Sequence, residues 1–205
     1  MASSVGYKRK IGLVIGINQY PADRSLQYCI NDATDLADIL QSIDFEITLG
    51  LDCNLTEFLN EIDTFIETIE PGDLVLFYFA GHGKQNEDEN YLLPSDYKSK
   101  IRTRDPVNRQ GLSSMNAPAQ TLIVYACAPG KAVIDETKNN KNGSFIENLL
   151  KHISTPDKDI EEVMRKIAGD VNRQTGGFQL PYRTSSLIDT VYLVTNNNQG
   201  KSILF

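Results

Sequence analysis

The sequence predicts an α/β fold, in which a mostly parallel sheet is covered by helices on both faces. Three apolar runs, residues 10–17, 74–80 and 120–126, have the hydrophobic character of strands buried inside a parallel sheet. Segments with the apolar spacing of helices separate these runs, most clearly at residues 55–69. Strands that alternate with helices form parallel sheets through right-handed crossovers. The length of 205 residues suits one domain of this kind.

The first half of the chain supplies most of the predicted elements. A helix follows the strand at 10–17, with Asn31 or Asp32 expected as its cap, because Asn and Asp are among the best N-cap residues. A short strand is predicted at 45–49, and the amphipathic helix at 55–69 is expected to stop at Pro71-Gly72. The strand at 74–80 comes next.

The second half is less regular. The predicted elements are an edge element at 90–94, the strand at 120–126, helices at 143–153 and 159–171, and a strand at 190–194 that closes the sheet. Residues 97–119 have no apolar period and are expected to form an irregular loop. We therefore predict one domain over residues 9–195, followed by a polar tail at 196–205.

His82 is the strongest candidate for chemistry. It follows the strand at 74–80 directly and stands between Gly81 and Gly83, which let the backbone turn sharply. The carboxyl edge of a central strand is where open α/β sheets bind their ligands. The alternative is a histidine with a purely structural role. The second histidine, His152, is expected to help the last carbonyl groups of its helix.

Composition excludes several function classes. A net charge of −7 argues against a nucleic-acid partner, and no apolar run approaches the roughly 20 residues that span a bilayer. Cys29, Cys53 and Cys127 are too few and too scattered for a disulfide framework, so we expect a reducing, cytoplasmic location. Neither a zinc-ligand spacing nor a phosphate-binding glycine loop is present, so we expect no metal and no other cofactor.

Seven segments, taken in order, resemble the caspase-like cysteine peptidases, above all the paracaspases and metacaspases. The resemblance covers nearly all of residues 9–195. The matching segments begin with Gly16-Ile17-Asn18 and Tyr20 and continue with Leu26-Gln27-Tyr28-Cys29-Ile30-Asn31-Asp32-Ala33, Tyr78-Phe79-Ala80-Gly81-His82-Gly83, Tyr91-Leu92-Leu93-Pro94-Ser95-Asp96, Tyr125-Ala126-Cys127-Ala128-Pro129-Gly130-Lys131-Ala132, Asn142-Gly143-Ser144-Phe145 and Gln179-Leu180-Pro181-Tyr182-Arg183-Thr184-Ser185.

The resemblance implies a three-layer α/β/α sandwich and a cysteine endopeptidase that acts on proteins or peptides without a cofactor. It implies that His82 is the general acid and base, and that the N–H groups of Gly83 and of the nucleophilic cysteine hold the oxyanion. Cys127 is the only cysteine after His82, at a spacing close to the about 50 residues seen in caspases. It is therefore the only available nucleophile.

The chain departs from the family pattern around the nucleophile. The family has an acidic residue two positions before that cysteine and commonly an arginine after it, whereas Tyr125 and Ala128 stand there. The surroundings of Cys127 resemble the next strand of the family instead. Where the family has a helix and a strand ending in the nucleophile, residues 97–119 offer no apolar run. We therefore expect a sheet short by one strand, and the alternative to a peptidase is a non-catalytic binding or regulatory module.

Two further expectations follow from the resemblance. The family acid that matches Asp32 lines the pocket for a basic residue before the cleaved bond, so cleavage after Arg or Lys is favoured over cleavage after Asp. Asp135 and Glu136 could contribute to the same pocket. The alternative for Asp32 is the helix cap named above. An exposed sheet edge could also pair with an active homologue or form a dimer.

Overall fold

The α/β fold class is confirmed by the computed structural model, which describes residues 6–86, 89–98, 112–128 and 140–196. The elements are β1 (Lys10–Gly16), α1 (Cys29–Ser42), β2 (Phe45–Leu51), α2 (Leu55–Thr68), β3 (Leu74–Ala80), β4 (Gly83–Asn86), β5 (Glu89–Leu92), β6 (Leu122–Tyr125), α3 (Ser144–His152), α4 (Ile160–Gln174) and β7 (Tyr182–Ser185). The strand bounds of β3 are those that the apolar run predicts.

The centre of the fold is a parallel three-stranded sheet in the order β2-β1-β3. Side chains alternate along β1, so Ile11, Leu13 and Ile15 pack against Phe58 of α2 on one face. Val14 points to the opposite face, where it joins the core of α1, α3 and α4. The helices therefore form a layer on each side of the sheet, as the three-layer architecture requires.

β3 is not buried on both faces, and that prediction is wrong. Val75 and Phe77 are 42% and 48% exposed, although their register partners in β1, Ile11 and Leu13, are only 4% and 1% exposed. Partners in a parallel register point to the same face, so all four side chains lie on the α2 side of the sheet. α2 contacts β1 and β2. None of the described helices therefore covers Val75 and Phe77, whereas Phe79 at the end of β3 packs against Phe58 of α2.

The strands of the second half pair differently from the prediction. β6 pairs antiparallel with β7, and β4 pairs antiparallel with β5 in a hairpin that directly follows His82. The segment around Tyr192, expected to be the closing strand, makes only an isolated bridge to Asp159. Its apolar residues Val191 and Leu193 instead pack against the core of α3 and α4.

The Lys10 side chain joins distant parts of this core. Its ammonium group donates hydrogen bonds to the carbonyls of Ile43 (2.9 Å) and Leu193 (2.8 Å), and it lies 5.8 Å from the centre of the Phe45 ring. The start of β1 is thereby tied both to the turn after α1 and to the segment that follows β7. None of the helices in the described ranges is long and apolar enough to cross a bilayer.

Helix α1 begins at Cys29, two residues before Asn31 and three before Asp32, the two residues expected as its cap. Its N-cap is Tyr28, whose side chain makes no capping bond. Asp32 therefore lies within the first turn of the helix, and its carboxylate reaches the start of α3 rather than the end of its own helix. That position decides what Asp32 does in the site.

Helix α2 begins with a complete capping box. The Asn54 side chain accepts hydrogen bonds from the N–H groups of Thr56 and Glu57, and the Glu57 carboxylate accepts one from the Asn54 N–H. We expect Asn54→Ala to lower the free energy of unfolding by about 1 kcal/mol, because two helix N–H groups lose their acceptor. Chemical denaturation measures this. Asn60→Ala, an exposed change on the same helix, should not destabilise the protein, and equal losses would contradict the capping role.

Candidate active site

The backbone around His82 is held by Tyr20. The His82 N–H donates to the Tyr20 hydroxyl oxygen (2.9 Å), and the Tyr20 hydroxyl donates to the Leu93 carbonyl (3.0 Å). The two rings lie with their centres 4.5 Å apart. A Cβ on Gly81 would come within 2.6 Å of the Tyr20 hydroxyl oxygen, so only glycine allows this close approach. Burial, the largest cause, raises the pKa of Tyr20, which keeps the hydroxyl a donor at neutral pH.

The His82 ring is oriented by a backbone carbonyl. Nε2 lies 2.7 Å from the carbonyl oxygen of Arg24. A carbonyl can only accept a hydrogen bond, so Nε2 carries the proton and the neutral ring keeps its lone pair on Nδ1. An imidazole with one nitrogen anchored and the other basic can take a proton and return it, which is what a general acid and base must do. Sequence reasoning missed Arg24, since a backbone carbonyl leaves no side-chain signal.

Gly83 begins the hairpin with its N–H directed outwards. The Leu93 N–H donates to the His82 carbonyl (3.0 Å), which makes Gly83 and Leu92 a non-hydrogen-bonded pair of the antiparallel ladder. In such a pair the N–H of Gly83 points away from β5. The Leu112 side chain lies over the α-carbon, 2.7 Å from the position that a Cβ would take. The role of this N–H as an oxyanion donor stays a prediction.

A short extended segment around Ser113 bridges the hairpin and β6. Asn90 holds Ser113 by two hydrogen bonds of 2.8 Å, one from its amide to the Ser113 carbonyl and one from the Ser113 N–H to its amide oxygen. The Met115 N–H donates to the Tyr125 hydroxyl at 3.1 Å. The segment therefore begins beside Gly83, where Leu112 lies, and ends at Tyr125 of β6.

We expect Asn90→Ala to release this segment, because both bonds to Ser113 are lost at once. Hydrogen exchange at residues 112–115 should quicken about tenfold, the factor that a loss of about 1.4 kcal/mol gives. Exchange in α2 serves as the internal reference and should not change. An unchanged rate at 112–115 would mean that Asn90 does not hold the segment.

The structure puts Cys127 and His82 at the ends of strands in different sheets. In the described ranges β3 pairs only with β1, and β6, which precedes Cys127, pairs only with β7. Cys127 is half-buried, and burial raises the pKa of its thiol. Nucleophilic cysteines have the opposite shift, because a positive neighbour or a helix N-terminus lowers the thiol pKa. The expected nucleophile and base are therefore not brought together by strand pairing.

Asp32 uses its carboxylate inside the protein. It is 8% exposed, and its Oδ1 accepts a hydrogen bond from the N–H of Gly143 (2.9 Å), the N-cap residue of α3. Neighbouring Asp35 binds the side chains of Lys141 and Asn142 (both 2.9 Å), so α1 holds the start of α3 through two carboxylates. The prediction that Asp32 caps its own helix is wrong, since it supports α3 instead.

The remaining sequence candidates fall outside this arrangement. Cys53 is buried, and burial raises the pKa of its thiol, whereas Cys29 is half-buried at the first residue of α1. Asp135 and Glu136 lie outside the described residues. Within the part of the chain that the structure describes, no group of three His, Cys, Asp or Glu residues could hold a metal ion.

The order of elements and the glycine-flanked histidine fit a known protein family. The family model of the caspase domain matches residues 9–116 and 99–192. This chain belongs to the caspase-domain family. The two matched stretches of the family model overlap within residues 99–116, so the match is split in the span that carries no apolar period.

Two relatives of this caspase-domain chain show how far the likeness extends. Mucosa-associated lymphoid tissue lymphoma translocation protein 1 of Homo sapiens is 27% identical over 114 residues, 56% of this chain and 14% of the human protein. Metacaspase-1 of Plasmodium falciparum (isolate 3D7) is 25% identical over 150 residues, 61% of this chain and 24% of the metacaspase. The chain therefore matches less than a quarter of the length of either relative.

A solved structure supports the same fold. The caspase-domain chain resembles the structure of pro-sf-caspase-1 with a TM-score of 0.65, over 95% of this chain and 94% of the other, at 12% identity. This likeness concerns the fold alone. Together with the family match it confirms the resemblance to caspase-like cysteine peptidases that the sequence indicates.

Proposed function

We propose that this chain is a cysteine-type endopeptidase of the caspase family, in which His82 is the general acid and base and Cys127 the nucleophile. The observation that carries the proposal is the hydrogen bond between Nε2 of His82 and the Arg24 carbonyl (2.7 Å). It fixes the ring and leaves Nδ1 as a base at the carboxyl edge of β3. Caspase-family membership supports peptide bonds as the substrate.

The proposed reaction begins with transfer of the Cys127 thiol proton to Nδ1 of His82. The thiolate attacks the carbonyl carbon of the scissile bond, and the oxyanion that forms is held by the N–H of Gly83. Collapse of the intermediate breaks the C–N bond, and the imidazolium of His82 gives its proton to the leaving amine. Water, deprotonated by His82, then hydrolyses the thioester and restores the thiol.

A preference for Arg or Lys before the cleaved bond rests on Asp32. A buried guanidinium needs a carboxylate partner, and Asp32 is the family-matched acid near the start of α1. Its Oδ1 accepts the Gly143 N–H, so a bound arginine would share the carboxylate with that N–H or displace it. The basic preference is therefore part of the proposal and has a test of its own below.

A second candidate function is a non-catalytic regulatory module that keeps the fold. A specific observation favours it: burial raises the pKa of the Cys127 thiol, and β6 does not pair with β3 within the described ranges. At neutral pH such a thiol holds its proton and is a weak nucleophile. The same fold would then serve binding rather than hydrolysis.

Fluorogenic peptides that end in Arg, Lys or Asp separate the two functions. If the chain is a peptidase, the Arg and Lys peptides are cleaved, the Asp peptide is not, and Cys127→Ala abolishes cleavage. Cys29→Ala is the matched control and should keep full turnover. A folded wild-type protein that cleaves none of the peptides would overturn the first function and favour the second. Cleavage that survives Cys127→Ala would remove Cys127 from the mechanism.

A further inference from the structure

An apolar surface lies beside the sheet, between α2 and the outer edge of β3. Six large side chains on α2, in the turn after it and on β3 are each 40–58% exposed. They are Leu55, Leu59, Ile66, Ile69, Val75 and Phe77, and we call this surface the α2–β3 face. Half-exposed side chains of this size give an apolar patch on the order of 500 Å², a size that on a monomer is often functional.

The shape of the α2–β3 face fits one further helix. Strands lie about 4.8 Å apart and a helix is about 10 Å wide, so α2 covers two strands. Among the described residues it reaches β3 only at its end, where Phe58 contacts Phe79, and Val75 and Phe77 stay about half exposed. The Glu61 side chain is on the side of α2 that faces β2, because its Cγ lies 3.9 Å from the position that a Cβ on Gly50 would take. Leu59 and Ile66 are on the opposite side of the helix, towards β3. The seven residues of β3 extend about 23 Å, the length of a helix of about 15 residues.

Two acidic residues lie along α2 in the middle of this face. At its Ile69 end, Lys8 and Arg9 are paired with Glu70 and Asp73, and at its Leu55 end it meets a cavity that Lys84 and Lys98 also line. Asp63 and Glu67 follow Leu59 at intervals of four residues, so they form a row with it along α2. Neither forms an ion pair with another residue that the structure describes. Among the described strands β3 is at the edge of the sheet, and it contains no Lys or Pro, which natural edge strands use to prevent pairing. An unprotected apolar strand beside an acidic row is complementary to an apolar helix with a basic flank.

We propose that the α2–β3 face binds an amphipathic helix of a partner protein, about 15 residues long, whose apolar face is bordered by Lys or Arg. A second copy of this chain is disfavoured as the occupant. In a two-fold dimer the same patch meets itself, which would bring Asp63 and Glu67 of one copy towards those of the other. Repulsion between like charges across the interface disfavours such a dimer. The proposal is independent of whether the chain is a peptidase.

Two synthetic helices of 15 residues test the proposal. Both carry leucines at i, i+3, i+4 and i+7 spacing, and the flanking positions are lysine in one and glutamate in the other. Fluorescence anisotropy with the whole chain at low salt should show about tenfold tighter binding of the lysine peptide, because two attractive contacts replace two repulsive ones. Exchanging both acids, Asp63→Lys with Glu67→Lys, should reverse the preference.

Neutral substitutions locate the binding site. Phe77→Ser and Ile66→Ser should each weaken binding of the lysine peptide about tenfold, and either variant alone suffices if the other does not fold. Ile188→Ser is the matched control, since Ile188 is exposed and lies outside the α2–β3 face. Equal affinity for both peptides, or an equal loss in the control, would overturn the proposal. Self-association that Phe77→Ser abolishes would assign the face to a dimer and would also overturn it.

Discussion

Replacing His82 by alanine is expected to lower kcat/KM for an arginine-ending peptide by about 10²–10⁴-fold, the contribution of a positioned general acid and base. The reason lies in the ring geometry. Nε2 is held by the Arg24 carbonyl, so alanine removes the basic Nδ1 placed at the end of β3. Steady-state hydrolysis of the fluorogenic peptide measures the effect.

The matched control is His152→Ala. His152 is the other histidine of the chain, and its Nε2 lies 2.7 Å from the Asp170 carboxylate between α3 and α4. Turnover should stay within a factor of two of wild type when it is removed, although the protein loses the contact between this ring and Asp170. Equal losses in both variants would mean that His82 acts on stability alone, and unchanged turnover in folded His82→Ala would end its catalytic role.

Gly16→Ala is expected to lower the free energy of unfolding by about 3 kcal/mol, the upper range for an overpacked core. The new Cβ would lie 2.5 Å from the Cys29 carbonyl oxygen and 2.7 Å from the Ala33 Cβ. Both neighbours belong to α1, and backbone atoms cannot move aside as a long side chain can. α1 would have to shift away from β1, and Asp32 would move with it.

Gly169→Ala is the matched control, and it is expected to raise the free energy of unfolding rather than lower it. Gly169 lies inside α4, and its nearest new contact would be the flexible Arg173 guanidinium at 3.4 Å. Alanine is the better helix former, so stability should rise by about 0.5–1 kcal/mol. Urea denaturation of both variants measures the contrast. A loss at Gly169 equal to that at Gly16 would mean that close contact with α1 is not the cause.

The sequence predicts a helix or strand well where the spacing of its apolar residues marks the buried face. The bounds of β3 and the start of α2 follow from apolar spacing. The exposure of Val75 and Phe77 does not follow, because an apolar run looks the same whether or not another element covers it. The pairing of β7 with β6 was missed for a related reason, since the short run Tyr182–Ser185 has little apolar character.

The sequence predicts which residues belong to the candidate site but not which atoms they contact. His82 and Gly83 are visible because glycines mark a sharp turn after a strand. The partner of the His82 ring is a backbone carbonyl, which any residue at position 24 would offer. Asp32 binds the Gly143 N–H, 111 positions along the chain, and no local pattern reports such a contact. Long-range hydrogen bonds of this kind depend on how the helices pack.

The ammonium group of Lys10 has a consequence for the order in which the protein can mature on the ribosome. One of its two acceptors, the Leu193 carbonyl, lies 183 positions away. A nascent chain that has emerged only as far as β3 therefore contains the parallel strands β1, β2 and β3. It cannot yet form the hydrogen bond that ties Lys10 of β1 to the Leu193 carbonyl. Contacts of such sequence separation close slowly, because the entropy of a long loop is lost before they form. Completion of the domain must wait until the stretch around Leu193 has left the exit tunnel.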